Sequence, residues 1–214
     1  SIALPEVKLG ILPGAGGMVS YLYPLAQALD PEIPFFTFQA QGLEGSTPPH
    51  TSIKEMAEHY LRLLLEVQPH GPYHLGGHSI GGLVAFAIAQ DLLKRGEKIA
   101  LLAMVDSCAP GLLTNSDDDT DAAALLFDIA QILAELGQQK LSLSEDDLAG
   151  LDMESRMTRI ANCLESAQLL PQDAGVDYLR ALLKVYQAHL QAALAYSPAL
   201  NPLPPVTLFR ASAA

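Results

Sequence analysis

The sequence has only two cysteines, Cys108 and Cys163, and they lie far apart. This excludes a disulfide framework and a cysteine-based metal cluster, so both are expected to be small buried hydrophobic residues, and no metal or cofactor is expected to bind the chain directly. Basic residues are scarce as well: Lys and Arg total 12 against 24 for Asp and Glu, a net charge of −12. Phosphate backbones and anionic lipids would repel such a chain. Nucleic acid and membranes are therefore not expected partners.

Long apolar runs and a basic N-terminal segment are also missing. No uninterrupted apolar stretch reaches the roughly 18 residues of a transmembrane helix, and Ser1–Glu6 is unlike a signal peptide, so a cytoplasmic protein is expected. Charged residues make up only 17% of the chain, whereas 50% of its 214 residues are apolar. Enough apolar surface can therefore be buried to offset the ordering entropy, and we expect one folded domain over residues 1–214.

Strand-like and helix-like segments alternate in the first half of the chain. Strands are predicted at Val7–Leu12, Pro34–Phe38, Tyr73–Gly76 and Ile99–Val105, and helices at Met18–Leu29, from Thr51 or Ser52 to before Pro69, and at Leu83–Leu93. This alternation is typical of right-handed βαβ units, which build a mostly parallel sheet flanked by helices.

The pattern changes after Pro110. Residues 113–172 show helical periodicity without a convincing strand, and they contain an acidic patch at positions 117–121 that is interpreted as a solvated loop and helix start. A long helix from about Val176 to Tyr196 and a strand at Val206–Arg210 follow. The region 113–172 is therefore predicted to be a helical insertion over the sheet.

One motif carries a specific chemical prediction. Gly77–Gly81 matches G-x-S-x-G between a predicted strand and a predicted helix. In that setting the serine occupies a strained turn that exposes its hydroxyl above the sheet, which favours Ser79 as a nucleophile over an ordinary turn residue. Asp106 ends the fourth strand at the sheet edge where functional residues converge, so it is the candidate carboxylate, with a turn-forming role as the alternative.

Acyl-transfer chemistry also needs backbone amides that stabilise an oxyanion. The Ile80 amide, directly after Ser79, is one candidate, and the glycine-rich turn at Gly14–Gly17 is expected to supply another. Phosphate binding by this turn is disfavoured, since no Gly-Lys-Ser/Thr follows and Val19 stands where G-x-G-x-x-G requires its last glycine.

The general base has no clear candidate among the six histidines. In the order Ser, Asp, His the base should follow Asp106, and only His189 does so, within a helical pattern that favours packing. We therefore expect that the catalytic histidine is not present in this chain, and that a C-terminal strand and helix are missing with it.

Several segments together resemble one family, the thioesterase domains that terminate nonribosomal peptide and polyketide synthases, a branch of the α/β-hydrolases. The segments are Pro13–Gly17, Gln39–Gly45, Gly71–Gly82, Val105–Ser107 and Val206–Ala211. The resemblance implies that Ser79 is the nucleophile, Asp106 the triad aspartate, and the Ile80 and Ala15 amides the oxyanion donors, with a helical lid at about 113–172. Gln41 and Ala87 depart from an arginine and a glutamate often found in such domains.

The resemblance also implies a substrate and a partner. A carrier protein upstream in the same synthase would present an acyl or peptidyl thioester on its phosphopantetheine arm, and Ser79 would take over the acyl group for release by hydrolysis or macrocyclisation. Three alternatives stay open: a freestanding editing thioesterase, a small esterase, or a non-catalytic hydrolase-like domain that binds carrier protein or acyl chains.

Overall fold

The computed structural model describes residues 8–109, 122–170 and 175–211. The strands are β1 Leu9–Leu12, β2 Phe35–Thr37, β3 Tyr73–His78, β4 Ile99–Val105 and β5 Thr207–Phe209. The helices are α1 Tyr23–Ala28, α2 Ile53–Val67, α3 Ile80–Lys94, α4 Ala122–Leu136, α5 Met153–Ser166 and α6 Gly175–Leu194, with 3-10 turns at Ser20–Leu22 and Glu145–Leu148. Within these ranges, no helix combines the length and apolarity needed to cross a membrane.

The five strands form one sheet in the order β2-β1-β3-β4-β5, and every pair is parallel. This confirms the predicted α/β architecture. The strand ends are aligned, because Leu12 pairs with Gly77 and Val105 pairs with both His78 and Phe209. The loops that follow β1, β3, β4 and β5 therefore meet at one edge of the sheet.

Local sequence signals explain where α2 begins. The Glu55 N–H donates to the Ser52 hydroxyl at 3.1 Å, and the Thr51 N–H donates to the Glu55 carboxylate at 3.0 Å. Ser52 is the N-cap, one of the two predicted residues, and its hydroxyl satisfies a donor that the helix start leaves open, while Glu55 reaches back to the residue before the cap.

Three sequence expectations were wrong. The turn predicted over Gly77–Gly82 is confined to Ser79, because β3 continues to His78 and α3 begins at Ile80. The first helix starts only at Tyr23, after a 3-10 turn. Neither cysteine is buried, since Cys108 is exposed and Cys163 is half-buried. Cys108 follows the sheet edge and Cys163 lies on a partly open face of α5, so spacing alone could not place them.

Apolar side chains form two clusters. The first lies between the sheet and helices α2 and α3, and includes Leu75, Leu83 and Ile88. The second joins α4, α5 and α6, and includes Leu126, Ile160 and Leu182. Residues 122–170 form the helices α4 and α5, which pack on α6, and their role as a lid stays a prediction. Residues 113–121 and 171–172 of the lid, with the acidic patch, lie outside the described residues.

Candidate active site

Ser79 occupies a strained turn between β3 and α3. Its φ of 53° and ψ of −123° are uncommon for a residue with a side chain. Its N–H donates to the Val105 carbonyl at 2.8 Å, and its own carbonyl accepts from the Gly82 N–H at 3.0 Å and the Ser107 hydroxyl at 2.8 Å. The turn is therefore held by both β4 and α3, which fixes Ser79 at the edge of the sheet.

Three glycines permit this turn through close approach rather than through their own flexibility. A Cβ on Gly77 would lie 2.1 Å from the Gly81 carbonyl oxygen, and one on Gly81 would lie 2.3 Å from the Leu12 carbonyl oxygen. A Cβ on Gly82 would lie 2.0 Å from the Ser107 hydroxyl oxygen. Strand, helix and neighbouring loop are so close that side chains at these positions would push them apart.

Asp106 follows β4 and also has a positive φ, of 46°. Its N–H donates to the Phe209 carbonyl at 2.8 Å, while its carboxylate accepts from the Ala211 N–H at 2.7 Å. The segment around β5 thus holds both the backbone and the side chain of Asp106. Asp106 and Ser79 line the same cavity, so the structure brings together the two side chains singled out from the sequence.

This cavity, of about 450 Å³, lies between the sheet edge and helices α4 and α6. The loop 14–18 forms one wall, and the opposite wall contains Ile129, Ile132 and Leu133 of α4 with Leu182 and Tyr186 of α6. Among its described lining residues only Asp106 and Glu135 carry a charge at neutral pH if histidine is neutral. A mostly apolar enclosure with a few polar groups suits an acyl chain whose reacting carbonyl lies near Ser79.

The two candidate oxyanion donors belong to segments beside Ser79. Ile80 is the first residue of α3, where N–H groups have no partner within the helix and the helix dipole is positive. Ala15 lines the cavity in the loop after β1. In that loop the Gly17 N–H donates to the Gly14 carbonyl at 2.9 Å, and Gly17 needs its φ of 68° and its lack of a side chain, because a Cβ would lie 2.1 Å from the Ala40 Cβ.

Two histidines lie near these groups. The His78 Nδ1 atom lies 3.0 Å from the Tyr21 hydroxyl, and burial lowers the pKa of His78 while the Asp106 carboxylate raises it. His189 is only 4% exposed within α6, in keeping with its expected packing role, and burial lowers its pKa to about 4 against an opposing hydrogen bond with the Ala15 backbone. Neither ring is hydrogen-bonded to Ser79 or Asp106 in the described structure.

The other four histidines lie in different surroundings. His50 and His59 contact each other with ring centroids 4.9 Å apart, and the exposed His70 pairs with Glu97 at 3.2 Å. His74 lies within β3, and its buried Nδ1 has no partner among the described residues. None of the four lines the cavity that contains Ser79.

Sequence reasoning missed three polar residues of the cavity: Tyr21, Glu135 and Tyr186. Tyr21 lies four residues after the glycine turn, and that position was the only signal available. Glu135 and Tyr186 belong to helical patterns whose orientation toward Ser79 depends on how α4 and α6 lie on the sheet. No spacing rule within the sequence gives that relationship.

Comparison with known proteins agrees with this geometry. A family model described as thioesterase domain matches residues 7–202. Chondramide synthase of Chondromyces crocatus is 31% identical over 85% of this chain and 5% of its own length, and enterobactin synthase component F of Escherichia coli K12 is 29% identical over 88% and 14%. A crystal structure of a four-domain nonribosomal peptide synthetase bound to AMP and glycine is 28% identical, with a TM-score of 0.83 over 96% of this chain and 16% of that chain.

The chain thus spans only a small part of these synthases. The thioesterase family model covers residues 7–202, and the synthetase structure superposes on 96% of this chain. The resemblance stated from the motifs is confirmed: this chain belongs to the thioesterase domain family.

Proposed function

We propose that this domain releases an acyl or peptidyl chain from a carrier protein's phosphopantetheine thioester through an acyl-enzyme on Ser79. The observation that carries the proposal is that Ser79, on its strained turn, shares one mostly apolar cavity with Asp106 and Ala15. Similarity to synthases favours a carrier protein within the same assembly over a freestanding thioesterase, an esterase or a non-catalytic domain. No cofactor is needed beyond the arm that carries the substrate.

The reaction proceeds in two balanced steps. The Ser79 hydroxyl oxygen attacks the thioester carbonyl carbon and its proton passes to a base, after which the C–S bond breaks and the thiol leaves with that proton. Water, or an amine or hydroxyl of the chain itself, then attacks the ester carbonyl carbon and gives a proton to the base, which passes it to the Ser79 oxygen as the C–O bond to Ser79 breaks. The Ile80 and Ala15 amides stabilise the oxyanion of both steps, and each such donor contributes about 2.7–4 kcal/mol in enzymes of this type.

Asp106 is proposed to orient the base. We infer that this base is a histidine other than the six in residues 1–214. His78, beside Ser79, already has its Nδ1 engaged by Tyr21, and His189 is buried in α6 against the Ala15 backbone. The remaining four do not line the cavity.

The lid is proposed to control how the acyl-enzyme is resolved. Its apolar side chains Ile129, Ile132 and Leu133 face the space above Ser79 and restrict water there. A chain folded against this wall can present its own nucleophile, whereas an open lid admits water. The choice between hydrolysis and cyclisation therefore depends on how the chain packs under α4.

The test is covalent modification by a fluorophosphonate, with imidazole added as an external base. We expect one adduct per chain, mapped by peptide mass spectrometry to Ser79 and absent in Ser79→Ala. Ser46→Ala, in an exposed loop, serves as the matched control and should react like the parent chain. An adduct on Ser107 or on the exposed Cys108 would overturn the assignment.

A further inference from the structure

We propose that Tyr21 and His78 form a positioning pair that fixes the backbone of Gly14 and so directs the Ala15 N–H into the cavity, an inference that rests on the proposed acyl transfer. Tyr21 has no role in the motif, and His78 occupies a variable position of G-x-S-x-G. Both nevertheless line the cavity with Ser79. The pair would make the oxyanion site depend on two side chains that do not touch the reacting atoms.

Gly14, Tyr21 and His78 form a chain of hydrogen bonds in which each donor points toward His78. The Gly14 N–H donates to the Tyr21 hydroxyl oxygen at 2.9 Å, which leaves the phenolic proton free for the His78 Nδ1 at 3.0 Å. The two rings meet edge to face, with centroids 5.5 Å apart. Burial raises the pKa of Tyr21 and so keeps its proton, and burial lowers the pKa of His78 against the opposing charge of Asp106. A neutral His78 with an unprotonated Nδ1 is the acceptor that this chain of bonds requires.

The Gly14 backbone determines where the Ala15 N–H points. The Gly14 carbonyl accepts from the Gly17 N–H at 2.9 Å, so both sides of Gly14 are bound. In a planar trans peptide the Gly14 carbonyl and the Ala15 N–H point in opposite directions, which turns that N–H away from Gly17. Because the bond between His189 and the Ala15 backbone raises the pKa of His189, the ring is the donor and the Ala15 carbonyl the acceptor. The Ala15 N–H has no partner among the described residues.

Close packing against His78 and Ser79 also restrains Gly14. A Cβ on Gly14 would lie 3.2 Å from the His78 Nδ1 and 3.6 Å from the Ser79 Cβ. The loop after β1 therefore rests directly on the residue pair that forms the nucleophile turn. Through His78, the turn that holds Ser79 also holds the loop that carries its second oxyanion donor.

The experiment compares Tyr21→Phe with Tyr23→Phe, a matched change at a tyrosine that is 65% exposed. Fluorophosphonate modification of Ser79 is followed at increasing reagent concentration in imidazole buffer. In Tyr21→Phe we expect the maximal rate to fall by about 10- to 100-fold, less than the loss of a whole oxyanion donor, with an unchanged half-saturating concentration. Tyr23→Phe should match the parent chain. Equal rates in the two variants, or a change in half-saturation alone, would overturn the proposal.

Substitutions of His78 provide a second, independent test of the pair if Tyr21→Phe does not fold. His78→Asn keeps an acceptor near the position of Nδ1 and should retain most of the rate, whereas His78→Ala should lose about as much as Tyr21→Phe. Equal losses in both His78 variants would contradict the pair. If Ser79 of the parent chain fails to react at all, the acyl-transfer function fails instead. Hydrogen exchange of the Gly14 amide then still tests the pair, and it should be faster in His78→Ala than in His78→Asn.

Discussion

The Ser107 hydroxyl donates a hydrogen bond of 2.8 Å to the Ser79 carbonyl, so the residue after Asp106 supports the turn that carries the proposed nucleophile. The same hydroxyl lies where a side chain on Gly82 would have to be. The turn after β3 and the turn after β4 are thus one packed unit, and the relative placement of Ser79 and Asp106 depends on a small residue at position 82.

Gly82→Ala should therefore destabilise the protein by about 1–3 kcal/mol, because overpacking outweighs the roughly 1 kcal/mol that alanine gains in a helix. The new Cβ would lie 2.0 Å from the Ser107 hydroxyl oxygen and 2.9 Å from its Cβ. Urea denaturation gives the free energy of unfolding. In a Ser107→Gly background the same substitution should cost much less, and an equal cost in both backgrounds would show that the contact does not limit position 82.

Asp106→Asn tests the carboxylate. The amide oxygen of asparagine can still accept the hydrogen bond from Ala211, so the fold should be retained. With a complete triad, loss of the charge that orients the histidine should lower turnover by orders of magnitude, about 10⁴-fold in the serine-protease precedent. The measurement is thioester hydrolysis by a form with a complete triad, with circular dichroism to confirm folding. An unchanged rate would indicate another carboxylate.

The architecture and the placement of Ser79 and Asp106 at one edge of the sheet could be predicted because they depend on local patterns. Buried parallel strands read as continuous apolar runs, and β4 was placed at its observed bounds, Ile99–Val105. Glycines were less informative: Gly77 and Gly81 suggested a long turn, yet they lie in a strand and a helix that approach closely. The Tyr21–His78 contact joins residues 57 positions apart through a loop conformation, and no periodicity encodes it.

His189 predicts how stability depends on pH. Its pKa is about 4 in the folded protein and near 6.5 when unfolded, so between these values the unfolded chain binds a proton that the folded chain does not. Stability should fall as the pH is lowered from 6.5 toward 4, by about 3 kcal/mol in all. His189→Asn, which cannot ionise, should lose less over this range in urea titrations at several pH values. Parallel curves for the two proteins would contradict a neutral buried His189.

External imidazole tests the inference about the base. Without a base the Ser79 hydroxyl keeps its proton at neutral pH, so residues 1–214 alone should hydrolyse acyl thioesters only slowly, with binding and the oxyanion site giving about 10³–10⁴-fold over water. Imidazole should accelerate acylation in proportion to its neutral form, and Ser79→Ala should not respond. Fast turnover without imidazole that is lost in His189→Asn would instead identify His189 as the base.

Glu135 predicts a charge preference of the substrate chain. It is an exposed residue of α4 on the lining of the cavity, where Asp106 is the other acidic group and no lysine or arginine is found among the described lining residues. Two unit charges about 4 Å apart in water interact by about 1 kcal/mol, or roughly fivefold in rate. Fluorophosphonates with an ammonium tail should therefore react faster than carboxylate analogues of equal length, and added salt should reduce the difference. Glu135→Gln should diminish this preference for the ammonium tail. Glu145→Gln, an equal change of charge elsewhere on the predicted lid, should preserve it. The same loss in both variants would assign the preference to net charge rather than to the cavity.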